Sequence, residues 1–186
     1  MKQLEQFYID SESKSDKGAG HTYIQKYYSD EFSPHKNKPL NILEIGYWKG
    51  DSLKLWHDFF PNAVIHVVEN NNSKGGLPQG ISERSIIYNQ DAYNKAFVDS
   101  LPDNFFDYVI DDGPHTLISQ KQVTGLYLPK IKSGGKLIIE DIQNEYKDIA
   151  EIIASCPKKV IDVIKVFDLR HIIGRYDDII IEITKI

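Results

Sequence analysis

A chain of 186 residues with 41% hydrophobic and 26% charged side chains can bury one sizeable core but is too short for two comfortable domains. Its formal net charge of −5 argues against a non-specific nucleic-acid binder, which would normally be basic. The single cysteine, Cys156, excludes a disulfide framework and a thiolate zinc cluster, and no run nears the ~18 apolar residues of a membrane span.

The opening MKQLEQFYID lacks the basic region, apolar stretch and cleavage site of an export signal, so a cytoplasmic location is expected. Residues 1–39 are polar and aromatic and read as an arm or cap on the domain at 40–186. Tyr8–Gly20 is too rich in Ser, Asp, Lys and Gly for a stable helix, whereas His21, Ile24, Tyr27 or Tyr28 and Phe32 recur at helical spacing. Pro34 and Pro39 close that segment. Asn41–Gly46 is the first strong strand, and a helix follows over 51–60. Residues 63–68 form a second strand, followed by a Gly/Pro/Asn/Ser-rich loop to about Gly80.

A short strand at 86–88 precedes a helix around 92–100 and a fourth strand at 105–110. Residues 116–130 read as helix, 136–140 as the fifth strand and Tyr146–Ala154 as helix, with Cys156 a semi-buried thiol at a helix end. Val160–Phe167 and Asp178–Thr184 complete the set. Strands alternating with helices specify an α/β fold: a Rossmann-like, doubly wound sheet of seven strands with helices on both faces. The last two strands have no room between them for a helical crossover, so the sheet is mostly parallel with an antiparallel last strand.

Polar chemistry gathers where strands should end. Glu44, Gly46 and Gly50 lie at a strand-to-helix turn, where glycine permits positive φ and close approach of a ligand to backbone. No G-x-G-x-x-G and no G-x-x-x-x-G-K-[ST] is present. Glu69, about twenty residues on, is placed to accept ribose hydroxyls, and Asp91 to face an adenine. The purely structural reading of these positions is a tight turn and two solvated strand-end carboxylates.

The stronger group is Asp111, Asp112, Glu140 and Asp141 with His115. Neighbouring strand tips lie roughly 5 Å apart, so four carboxylates and an imidazole would share a small volume, which is costly without a cation. Hard oxygen donors point to Mg2+ or Mn2+, and His115 suits a proton acceptor. The competing reading is helix capping and a loop hydrogen bond. Ser15 and His21 would reach the pocket if the arm folds back. Trp48 and Trp56 read as packing residues, with Trp48 placed to touch a ligand. Arg175 reads as the partner of an acid at the sheet rim, and Lys158-Lys159 as a solvated patch.

The ordered set SDKGAGHTYIQKYY, NILEIGYWKGDSLKLW, DYVIDDGPH, GGKLIIEDIQ and GRYDDIIIEI resembles the class I S-adenosylmethionine-dependent methyltransferases, and among them the metal-dependent sugar O-methyltransferases of the macrocin and mycinamicin type. The resemblance implies a cofactor motif at Glu44, Gly46 and Gly50, with Glu69 on the ribose and Asp91 on the adenine side. It implies magnesium ligands at Asp112, Glu140 and Asp141, His115 as general base, Asp111 behind them or on the cofactor, and a lid over Ser15–His21. Pro114 stands where Ser is usual, and Glu69 where Asp is usual. The activity implied is methyl transfer from S-adenosylmethionine to a hydroxyl of a small molecule, a sugar or vicinal diol, with no membrane partner and homo-oligomerisation left open. The rivals are a nicotinamide-dependent oxidoreductase and a non-catalytic binding or scaffolding domain.

Overall fold

The computed structural model describes residues 2–70, 81 and 83–186; the loop expected up to Gly80 lies mostly outside the described residues. The strands are β1 (Asn41–Ile45), β2 (Val64–Glu69), β3 (Ser85–Asn89), β4 (Phe106–Asp111), β5 (Ile131–Ile139), β6 (Ile164–Asp168) and β7 (Ile179–Thr184). They form one seven-stranded sheet in the order β3-β2-β1-β4-β5-β7-β6. β7 runs antiparallel to both β5 and β6, and the other described pairings are parallel. The reversed strand is inserted beside β5, leaving β6 at the rim.

Helices α1 (Gln3–Asp10), α2 (Asp16–Ala19) and α3 (Ser29–Phe32) belong to the arm, with a π-helical turn at Ile24–Tyr28 running into α3. The expectation of no helix over Tyr8–Gly20 is corrected at both of its ends. Leu4 and Tyr8, four residues apart on α1, are buried, and Tyr8 donates its hydroxyl to the Ser15 carbonyl. Tertiary burial outweighs a weak local propensity there. α4 (Asp51–Phe59), α5 (Lys95–Ser100), α6 (Leu117–Tyr127), α7 (Glu145–Ser155) and α8 (Arg170–Ile173) complete the set. β5 begins five residues earlier than read, because the SGG segment is part of the strand, with Gly134 at φ +77°. A 3-10 turn occupies Lys158–Val163, where the sixth strand was expected to start.

The two-residue period of a strand sorts side chains to opposite faces. Ile42, Ile110, Ile138 and Ile180 join Trp56, Phe59, Phe60 and the arm residues Leu4, Tyr23, Tyr28 and Phe32 in one cluster. Leu43, Val109, Leu137 and Ile181 join Val123, Tyr127 and Ile152 of α6 and α7 on the other face, with Cys156. The arm is therefore part of one face's core. Phe32 meets Trp56 edge-on at 5.2 Å and Phe60 and Tyr108 at 5.3 and 4.9 Å, distances at which such ring pairs attract. Among the described residues no helix is long and apolar enough to cross a membrane.

Candidate active site

The parallel strands deliver their carboxyl ends to one edge, and the ladder continues past them. Gly46 N–H donates to the Val68 carbonyl, Asp112 N–H to Ile45 and Glu140 N–H to Asp111, at 3.0, 3.0 and 3.1 Å. A cavity of about 630 Å³ opens there, within the range of a small-molecule or cofactor pocket. Gly46, Glu69, Asp91, Asp112 and His115 line it, together with Asp16, Trp48 and Tyr93. Gly46 has φ +81°, and a Cβ there would lie 2.3 Å from the Asp112 carbonyl oxygen, so only glycine lets these two strand ends close up. Glu69 accepts from the backbone N–H of Tyr47 and Asn70 at 3.3 and 2.9 Å, which fixes its carboxylate at the cavity wall. Asp91 accepts from Tyr93 N–H at 2.9 Å in a turn.

Several expected residues stand behind the wall. Glu44 is fully buried: Ser52 Oγ and Trp56 Nε1 donate to it at 2.8 and 3.3 Å, and burial raises its pKa to about 7 despite the nearby Lys17. Gly50, at φ +83°, caps α4. Asp111 accepts from Tyr93 Oη at 2.7 Å, and burial raises it to about 6. Ser15 is buried, its carbonyl taken by Tyr8, while its neighbours Lys14 and Asp16 reach the cavity. His21 stacks on Tyr23 and pairs through Nδ1 with Asp178 Oδ1 at 3.1 Å. Trp48 is 58% exposed at φ +43° on the cavity edge, so the packing reading holds for the fully buried Trp56 and not for it. Arg175 pairs with Asp177 at 2.8 Å, and Lys158 and Lys159 are exposed.

At the acidic end, Asp112, His115 and Asp141 each bring one ligand atom within 4.8 Å of the others. His115 Nε2 lies 3.4 Å from Asp141 Oδ2 and 3.7 Å from Asp112 Oδ1. His115 and Asp141 hold positive φ, +52° and +57°; with Trp48, three of the five such non-glycine residues among those described stand at this site. Backbone in this region costs of order 1–3 kcal/mol per residue and persists where surrounding contacts enforce it. Here Tyr23 Oη donates to Asp141 Oδ1 at 2.7 Å, and Gln120 Nε2 donates to the Glu140 and Asp141 carbonyls at 3.1 and 3.2 Å.

Glu140 is the most enclosed of the three expected ligands. Its two oxygens accept from Lys17 Nζ and Tyr28 Oη, and it is 1% exposed. Lys17 Nζ also donates to Asp112 Oδ2 at 2.6 Å and lies 3.5 Å from Glu44 Oε1. Burial opposes its charge, but these three carboxylates outweigh that and hold its pKa well above the ordinary lysine range. Burial likewise pushes Asp112 and Glu140 upward, with Lys17 opposing the shift in both. The chain thus supplies one cation of its own to the cluster. Asp112 and Asp141 offer carboxylate oxygens beside one imidazole nitrogen, donors that suit a hard divalent ion, and of these three residues Asp112 and His115 line the cavity. Sequence reasoning covered Lys17 only within the stretch Ser15–His21 and gave no site role to Tyr23, Tyr28 or Tyr93. Lys17 lies 95 and 123 residues from its partners, so local spacing carries no sign of it.

No family model matches the chain. It is 29% identical over 134 residues to the mycinamicin VI 2''-O-methyltransferase of Micromonospora griseorubida, covering 67% of this chain and 32% of that protein. It is 26% identical over 133 residues to the demethylmacrocin O-methyltransferase of Streptomyces fradiae, covering 67% and 33%. The chain is homologous to the macrolide-sugar O-methyltransferases. Among solved structures, the MycE methyltransferase of mycinamycin biosynthesis in complex with Mg and SAH superposes with a TM-score of 0.72 at 20% identity, covering 98% of this chain and 54% of that one. That match carries the fold, a class I methyltransferase sheet. The chain spans about a third of the length of these curated relatives and about half of the solved one.

Proposed function

We propose that this chain transfers the methyl group of S-adenosylmethionine to a hydroxyl of a small molecule, a sugar or vicinal diol, with Mg2+ or Mn2+ assisting. The observation that carries the reading is the adjacency of a cofactor-sized cavity to Asp112, His115 and Asp141. Gly46 and the turn after it would receive the cofactor against backbone, Glu69 its ribose and Asp91 its adenine side. Glu44, Gly50 and Asp111 would shape that wall from behind. Residues 1–39 act in this reading as a cap on a catalytic domain at 40–186, with Ser15 and His21 setting the path of the cap and Asp16 facing the cofactor.

Asp112, Glu140 and Asp141 would hold the divalent ion, which when bound lowers the pKa of a nearby hydroxyl. His115 Nε2 would take the proton of the attacking hydroxyl, with Asp141 Oδ2 stabilising the imidazolium that results. Alignment of acceptor and methyl donor in the cavity would supply the rest. Other relatives are named for acceptors that carry an olivosyl or a rhamnosyl sugar, which supports a sugar over other diols. Cytoplasmic action on a free small molecule, with no nucleic acid involved, goes with this reading.

The test is calorimetry of S-adenosylmethionine with the native chain and with Asp112→Ala, followed by methyl transfer to a panel of glycosides with and without Mg2+. Cofactor binding by both proteins and Mg2+-dependent transfer by the native chain alone are expected. Full transfer in excess chelator would overturn the metal-assisted mechanism, and no cofactor binding would overturn the activity.

A further inference from the structure

We infer that Tyr8 is a positioning residue for the cofactor: its hydroxyl holds the Ser15 carbonyl and so fixes Lys14 and Asp16 in the cavity wall, against the methionyl end of S-adenosylmethionine. The inference rests on the cofactor reading above and adds to it a residue that does not itself line the cavity.

Residues 13–15 form neither helix nor strand, so no regular ladder sets the path of the backbone there. α1 supplies the fixed point. Leu4 is fully buried and its N–H donates to Ser33 Oγ at 3.2 Å, while Phe7 meets Phe59 edge-on at 5.5 Å. One turn after Leu4, the buried Tyr8 donates its hydroxyl to the Ser15 carbonyl at 2.9 Å. The remaining hydrogen bonds of Ser15 are longer: its N–H donates to Ser13 Oγ and its carbonyl accepts from Gly18 N–H, each at 3.4 Å. Ser15 Oγ is buried with no partner among the described residues, so the bond from Tyr8 is the main anchor. Gly18 clears space for the ring, since a Cβ there would stand 2.6 Å from Tyr8 Cζ, the carbon that bears the hydroxyl.

The flanking residues Lys14 and Asp16 both line the cavity. Burial raises the Tyr8 pKa, and the carboxylates of Asp16 and Asp51 lie near enough to add to the rise, which sets this latch beside the start of α4. Lys17, next in the chain, reaches Asp112 beyond β4. Glu69 and Asp91, which would take the nucleoside, belong to the ends of β2 and β3. The strand order β3-β2-β1-β4 therefore directs Lys14 and Asp16 to the other end of the ligand. That end carries one carboxylate and one ammonium, groups that Lys14 and Asp16 complement in charge.

The experiment is calorimetry of the whole chain with S-adenosylhomocysteine, which keeps the amino-acid end, and with 5′-methylthioadenosine, which lacks it. Tyr8→Phe keeps the packed ring and removes only the hydroxyl. It should raise the dissociation constant of S-adenosylhomocysteine by at least about fivefold, the scale of one hydrogen bond, and that of 5′-methylthioadenosine by less than about twofold. General destabilisation would not separate the two ligands. Gly18→Ala, which drives the ring away from Ser15, should have the same effect. The double variant should then bind within about twofold of the weaker single one, because both changes break one link. Equal weakening of both ligands, no weakening of either, or losses that add in the double variant overturn the inference while leaving the cofactor reading intact. If Gly18→Ala does not fold, the two-ligand comparison on Tyr8→Phe decides. A native chain that binds neither nucleoside overturns the cofactor reading and this inference with it.

Discussion

His115 Nε2 stands 3.4 Å from Asp141 Oδ2, although the two residues come from loops after different strands, β4 and β5. Both hold left-handed backbone, and the carboxylate is itself fixed by Tyr23. An imidazole so held can accept a proton, with the resulting positive charge stabilised by a carboxylate that is already fixed in place. His115→Ala is therefore expected to lower kcat by about 10²- to 10⁴-fold while calorimetry shows cofactor affinity within about threefold of native. A lost cofactor affinity with kcat unchanged would assign His115 to binding.

Gly46 is expected to tolerate no side chain. Its φ of +81° alone costs an alanine about 1–2 kcal/mol, and the added Cβ would meet the Asp112 carbonyl at 2.3 Å. Gly46→Ala should lower the denaturant midpoint and also weaken S-adenosylhomocysteine binding, because relief of the clash pushes apart the two strand ends that border the cavity. Unchanged affinity would show that the cofactor does not use this turn.

The arm should behave as core. Phe32 is fully buried between Trp56, Phe60 and Tyr108. Phe32→Ala is expected to cost about 3–5 kcal/mol in urea unfolding, as for a large aromatic lost from a packed interior. A loss below about 1 kcal/mol would mean that the arm is only lightly attached.

Acid should reveal His66, which burial pushes down to a pKa of about 4. The unfolded chain, with an ordinary value near 6.5, takes up the proton first as pH falls. The stability due to neutral His66 is thus complete above about pH 6.5 and is lost as pH drops toward 4. Glu44, raised to about 7, runs the other way: its contribution is present in acid and fades as pH rises from about 4.3 through 7. Comparison of His66→Gln with the native chain isolates the first effect. Between about pH 7 and pH 5 the native chain should lose about 2 kcal/mol relative to the variant. Parallel pH curves for the two proteins would contradict the assignment.

Much of this molecule was legible because strand ends announce themselves. Apolar runs stopping on Glu44-x-Gly46, Glu69, Asp112 and Glu140-Asp141 placed the crevice, and the short link between the last strands disclosed the reversed one. Even the shared face of Glu44, Asp112 and Glu140 follows from parity with Ile42, Ile110 and Ile138. What the sequence could not disclose is the identity of the group opposite them. Lys17 and Tyr28 reach Glu140 only after the arm folds onto the sheet, an approach set by the burial of Leu4, Tyr23 and Phe32. Trp48 was misread for a related reason. An aromatic in a glycine turn resembles a packing residue until the backbone, at φ +43°, turns it outward.

The central claim is that the tips of β4 and β5 hold a divalent ion beside the cofactor cavity. A crystal of the chain grown with Mn2+ and S-adenosylhomocysteine, measured for anomalous scattering at the manganese edge, tests it most directly. The account predicts a manganese peak between the carboxylates of Asp112 and Asp141, with the nucleoside in the cavity lined by Gly46, Glu69 and Asp91. A manganese ion bound elsewhere, or a nucleoside outside that cavity, would contradict it.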